Sequence, residues 1–138
     1  MIRLKLHPHR VWFCVPVGLF LTLDVTFTLI GQPATYWAGD WQTANEANPI
    51  AYRLLAANPW LFAASAAVWV VLLGVVITVW NSLLSNVLAM VVAVAHVFGG
   101  SSWLLHIGDW GLALAVGYLV LAARFCFWCW EKEPGLKF

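Results

Sequence analysis

LFAASAAVWVVLLGVVITVW, residues 61–80, runs for twenty residues without one charged side chain. A hydrocarbon core about 30 Å thick takes about 20 apolar residues as a helix, the one open segment that satisfies its own backbone N–H and C=O groups there. This stretch therefore reads as a membrane-spanning helix, and its neighbours follow the same rule. Residues 11–30, about 83–100 and 111–130 are similarly apolar, which gives four spans in 138 residues. The predicted fold is all-α, a single transmembrane domain (1–138) built as a four-helix bundle.

Composition agrees. The chain is 63% hydrophobic and 9% charged, against roughly a quarter charged in soluble domains. Little length remains for a soluble domain, so any activity must be built within the bundle and its loops. The lipid bilayer is the expected partner. A net charge of +1 offers no basic surface for nucleic acid, and the chain carries no glycine-rich phosphate loop or serine elbow.

The start MIRLKLHPHR has the charge of a signal-peptide n-region, but the apolar run after it is too long and contains Asp24. A retained first helix is expected. Arg3, Lys5 and Arg10 precede the first span, and Arg124, Lys132 and Lys137 lie at or beyond the end of the fourth. The positive-inside bias then places both termini in the cytoplasm. Trp12, Trp80, Trp128 and Trp130 are expected in an inner aromatic belt and Trp37, Trp41, Trp60, Trp103 and Trp110 in an outer one, with Trp69 at mid-span.

The one shift in composition is the loop 31–59. Within it, Asn48-Pro49 and Asn58-Pro59 each read as a helix N-cap followed by proline at the first helical position. A short interfacial or re-entrant helix, PIAYRLLAA (49–57), is expected in this first outer loop. Glu46 would sit beside its N-terminus, where unpaired N–H groups favour a carboxylate.

Depth selects the candidate site. Asp24 lies six residues before the outer end of span one and His96 four before that of span three, about 9 and 6 Å down at 1.5 Å per residue. They share a level, below Glu46, Asn48, His106 and Asp109 of the outer loops. Thr28, one turn after Asp24, is placed to donate to its carboxylate. Ala89, Ala93, His96 and Gly100 form a small-residue stripe of the kind along which membrane helices approach closely, as do Ala63, Ala67, Gly74 and Thr78 on span two and Gly111 and Ala115 on span four.

LDVTFT (23–28) followed by NEANP (45–49) resembles the Asp-x-x-x-Thr and Glu-x-Asn-Pro signature of an uncharacterised family of small prokaryotic multi-pass membrane proteins. The resemblance covers roughly the first 60 residues. It puts Asp24, Thr28, Glu46, Asn48 and Pro49 on the motif, implies a bacterial or archaeal cell membrane, and supplies no activity.

Three uses of these residues remain open. Asp24 and His96 could pair only to fix helix register, with Glu46 and Asn48 as caps. Asp24, Glu46 and His96, with His106 a poorer fourth, offer oxygen and imidazole ligands for a divalent metal ion. Asp24 or Glu46 could serve as general base in a membrane-embedded metal-dependent hydrolase or transferase. CFWC (126–129) carries the Cys-x-x-Cys spacing of thiol redox enzymes, but it lies at the inner end of span four without partner cysteines in the loops, so small reduced core thiols are expected. The reading that absorbs most of this is an outer-leaflet polar pocket for a cation or small ligand; a structural subunit of a larger membrane complex would use the many outer tryptophans equally well, and a homo-oligomer is also open.

Overall fold

A computed structural model describes residues 7–80 and 82–132. Arg3, Lys5 and Lys137 lie outside the described residues. The elements are α1 (Val11–Ile30), α2 (Ala34–Trp37), α3 (Pro49–Ala57), α4 (Pro59–Val79), α5 (Leu83–Leu104) and α6 (Gly111–Trp130), with no strand among the described residues. Four of these helices, α1, α4, α5 and α6, are long and apolar enough to cross a membrane, so the chain is an all-α, multi-pass membrane bundle.

Helix α1 is the hub, packing on α4, α5 and α6 and most extensively on α5. The reason is local: Ala89, Ala93 and Gly100 are buried on the α5 face and let the two backbones approach. Phe13, Val17, Phe20 and Leu21 of α1 fill the core with Leu73 and Ile77 of α4 and with Ala122, Cys126 and Cys129 of α6. The other faces carry exposed apolar side chains such as Val71, Leu72, Val91 and Val120, as expected of surfaces that meet lipid.

Some details differ from the expectations above. Helix α5 runs on to Leu104: the Gly-Gly-Ser-Ser stretch stays helical, and the Ser101 and Ser102 hydroxyls donate to the carbonyls of Phe98 and Gly99. Trp130 is buried in the core and not in a surface belt. On α4 the small residues do not mark a close contact: Ala67 is exposed, and a Cβ on Gly74 would meet nothing within 4 Å. Cys14, Cys126 and Cys129 are free thiols.

Arg10 departs furthest. Read from sequence as a cation at the membrane surface, it is 1% exposed. Its Nε donates to the Ile77 carbonyl at 2.7 Å, near the C-terminus of α4, and its Nη2 donates to Ser85 Oγ at 3.0 Å and to Asn86 Oδ1 at the start of α5. The guanidinium also lies over the Phe13 ring. One side chain thus binds three helices around the short α4–α5 connection, and a cation near a helix C-terminus is favoured by the helix dipole.

At the opposite end, residues 31–58 fold into a cap. Both asparagine caps form: Asn48 Oδ1 accepts from Ile50 N at 2.9 Å, and Asn58 Oδ1 accepts from Trp60 N at 2.7 Å. Tyr36 is fully buried with Leu55 and Phe62, and its hydroxyl donates to the Leu55 carbonyl at 3.1 Å. Burial pushes the Tyr36 pKa above the ordinary tyrosine value, so it stays a donor. Asn58→Ala should lower stability by about 1 kcal/mol, and Asn58→Gly by only a few tenths, in thermal unfolding in detergent micelles. Equal losses for the two would show that the side-chain cap is not what starts α4.

Candidate functional site

Helices α4 and α5 are joined by a short connection at one end and stand apart at the other. The gap, floored by α1 and covered by α3, is a pocket of about 750 Å³, within the size range of small-molecule sites. Its walls are mostly apolar and aromatic: Leu21 and Val25 of α1, Ile50 and Leu54 of α3, Phe62 and Trp69 of α4, Trp103 of α5. Asp24, Thr28, Glu46, Asn48 and His96 all line it.

The polar centre is a pair. Asp24 Oδ2 and His96 Nδ1 are 2.8 Å apart, with the two side chains 19% and 26% exposed. A carboxylate only accepts, so Nδ1 carries the hydrogen; Nε2 accepts when the imidazole is neutral and donates when it is protonated. Nε2 has no hydrogen-bond partner among the described residues. Gly99, one turn after His96, makes room for the pair: a Cβ there would stand 2.6 Å from Asp24 Oδ2 and 2.7 Å from Oδ1. The carboxylate rests against the α5 backbone, which only glycine allows.

Thr28 is buried one turn above, but no hydrogen bond joins its hydroxyl to Asp24 among the described residues; the carboxylate is turned toward α5 instead. Glu46 is half-buried at the rim, where its Oε1 accepts from the Asn48 N–H at 2.7 Å. Glu46 therefore braces the start of α3 and faces the pocket at once. His106 and Asp109 are exposed and do not line it; His106 Nδ1 lies 2.9 Å from the Ser102 carbonyl.

No family model matches this chain, and neither a curated protein nor a solved structure does. The site is therefore read from its own chemistry.

The metal-ligand set Asp24, Glu46 and His96 is not assembled. Among the described residues no three of His, Cys, Asp and Glu stand close enough together to hold a metal ion. Depth along the helices brought Asp24 to His96, whereas the loop holds Glu46 to the backbone of Asn48.

Sequence reading missed the residue that sets the loop in place. Gln32 is buried, its Nε2 donating to the carbonyls of Thr28 at 2.8 Å and Asn45 at 3.1 Å while its Oε1 accepts from Asn45 N at 2.8 Å. This two-way bond ties the NEANP segment to the end of α1. Trp103 was also missed as a pocket wall; its ring packs directly against Gly31, where no side chain would fit. The only signal for Gln32 was a lone polar residue between the end of a span and Pro33.

Proposed function

We propose that this protein binds a small amphipathic molecule in the pocket between α1, α4 and α5, with the Asp24–His96 pair holding its polar end. The observation that carries this reading is the unpartnered Nε2 of His96, oriented by Asp24 at the polar centre of a mostly apolar pocket of about 750 Å³. Such a site fits the general form of ligand pockets, in which apolar walls supply contact area and a few placed polar groups supply specificity. In this proposal the protein resides in a bacterial or archaeal cell membrane with both termini cytoplasmic and the pocket in the outer leaflet. The basic residues around the terminal spans support that orientation.

Extraction of the purified protein and mass spectrometry of the extract test the reading. Wild-type protein is expected to carry a bound amphiphile that folded Asp24→Asn and His96→Gln variants retain at least about tenfold less, the effect of removing a charge-assisted hydrogen bond of about 1.5–3 kcal/mol. The proposal fails if wild type and both variants carry the same molecules in the same amounts.

A second reading rests on the same nitrogen. An imidazole with Nδ1 fixed by a carboxylate and Nε2 open to a pocket is arranged as a general base, so His96 would take a proton from water or a hydroxyl during hydrolysis or group transfer. A turnover product appearing with wild type and not with His96→Gln would favour it.

A further inference from the structure

The charges around the pocket identify the kind of head group that the proposed ligand carries. Among the lining residues are two carboxylates, Asp24 and Glu46, and no lysine or arginine. Even with His96 protonated, the lining sums to one negative charge. The cation on α3, Arg53, is exposed and lies outside the lining. An anionic head group would meet uncompensated negative charge in a partly desolvated site, whereas a cation is attracted to both carboxylates.

The aromatic walls point the same way. Phe62, Trp69 and Trp103 all face the pocket, and aromatic rings, tryptophan above all, attract ammonium groups through their quadrupoles. Carboxylates and indoles together, with no cation among them, make a poor cradle for phosphate and a good one for an amine.

Access comes from the side. Trp69 lines the pocket and is still about half exposed on the apolar surface of α4. Helix α6 packs on α1 and α5 and so does not close the α4–α5 gap. A molecule with an apolar tail can enter along that gap with its tail in the bilayer and only its head between the helices.

We propose that the occupant is a membrane-soluble amine: a single-tailed amphiphile whose protonated amino group is drawn into the pocket by the carboxylates of Asp24 and Glu46, with its tail along the apolar and aromatic walls. This rests on the pocket being a ligand site at all, and it adds the sign of the charge that the site accepts. No bond is made or broken in this step; it is recognition only.

Three probes with one tail and different heads separate the two claims: dodecylamine, dodecanol and dodecanoic acid, each titrated into the full-length protein in neutral detergent at neutral pH. Bound adducts are counted by native mass spectrometry. Dodecylamine is expected to bind at one per chain and at least about tenfold more tightly than dodecanoic acid, with dodecanol between them. Asp24→Asn and Glu46→Gln should each shrink that ratio, and Glu46→Gln, at the half-exposed rim, keeps the test valid if Asp24→Asn folds poorly. Dodecanoic acid binding as tightly as the amine overturns this inference and leaves the pocket reading standing. A ratio unchanged in Glu46→Gln overturns it too, since the amine would then sit elsewhere. Wild type that binds none of the three removes the pocket reading and this inference together.

Discussion

Arg10→Met is expected to destabilise the protein by about 2–4 kcal/mol, the largest loss among the variants considered. The side chain is buried, and its removal strips donors from the Ile77 carbonyl, Ser85 Oγ and Asn86 Oδ1. Each buried acceptor left without a partner costs about 1–3 kcal/mol. Taking a charge out of the interior recovers part of its desolvation cost, which keeps the net below the simple sum. Arg10→Lys should also lose stability, because a single ammonium cannot reproduce a planar fork that spans α4 and α5. Unfolding in mixed micelles measures both. A methionine variant as stable as wild type would mean that water satisfies these acceptors and that the cluster contributes nothing.

Gly99→Ala is expected to abolish ligand retention to the extent that His96→Gln does, at least about tenfold, while changing stability little. The new Cβ would overlap both Asp24 oxygens, so the carboxylate must swing off α5 and release His96 Nδ1. The overlap costs about 1–3 kcal/mol, offset by the roughly 1 kcal/mol that alanine gains over glycine in a helix. Gly74→Ala is the control. Its Cβ meets nothing within 4 Å, so the same exchange should be neutral or stabilising and leave the pocket intact. If Gly99→Ala keeps full binding, the Asp24–His96 hydrogen bond is not what holds the ligand.

The span positions and both asparagine caps were legible in the sequence because they depend on local rules: apolar length, and an Asn-Pro pair whose side chain reaches the next turn. The meeting of Asp24 with His96 was legible in outline: the count ended span three at Gly100, four residues short of Leu104, yet on either count the two groups lie within about one helical turn of each other in depth. The remainder depends on which faces meet. Arg10 has the sequence appearance of a topological cation, and only the position of the α4–α5 connection turns it inward. Gly99 could not be told from Gly100 without knowing where Asp24 rests. Gln32 acts across thirteen residues of irregular loop, where no periodicity exists to read. His106 and Asp109 are exposed and outside the pocket lining, a distinction that counting depth along the spans does not contain.

The Arg10 cluster and the pocket occupy opposite ends of the same two helices, and α4 is clasped at both. Ile77 is held by Arg10, and Phe62, on the pocket wall fifteen residues away and about 22 Å along the axis at 1.5 Å per residue, is buried with Tyr36 and Leu55 of the cap. Were either clasp lost, a tilt of roughly 10° in α4 would displace its far end by about 4 Å, close to the width of a methylene chain. Two clasps that never touch a ligand, one polar and one aromatic, thus fix the spacing of the walls between them.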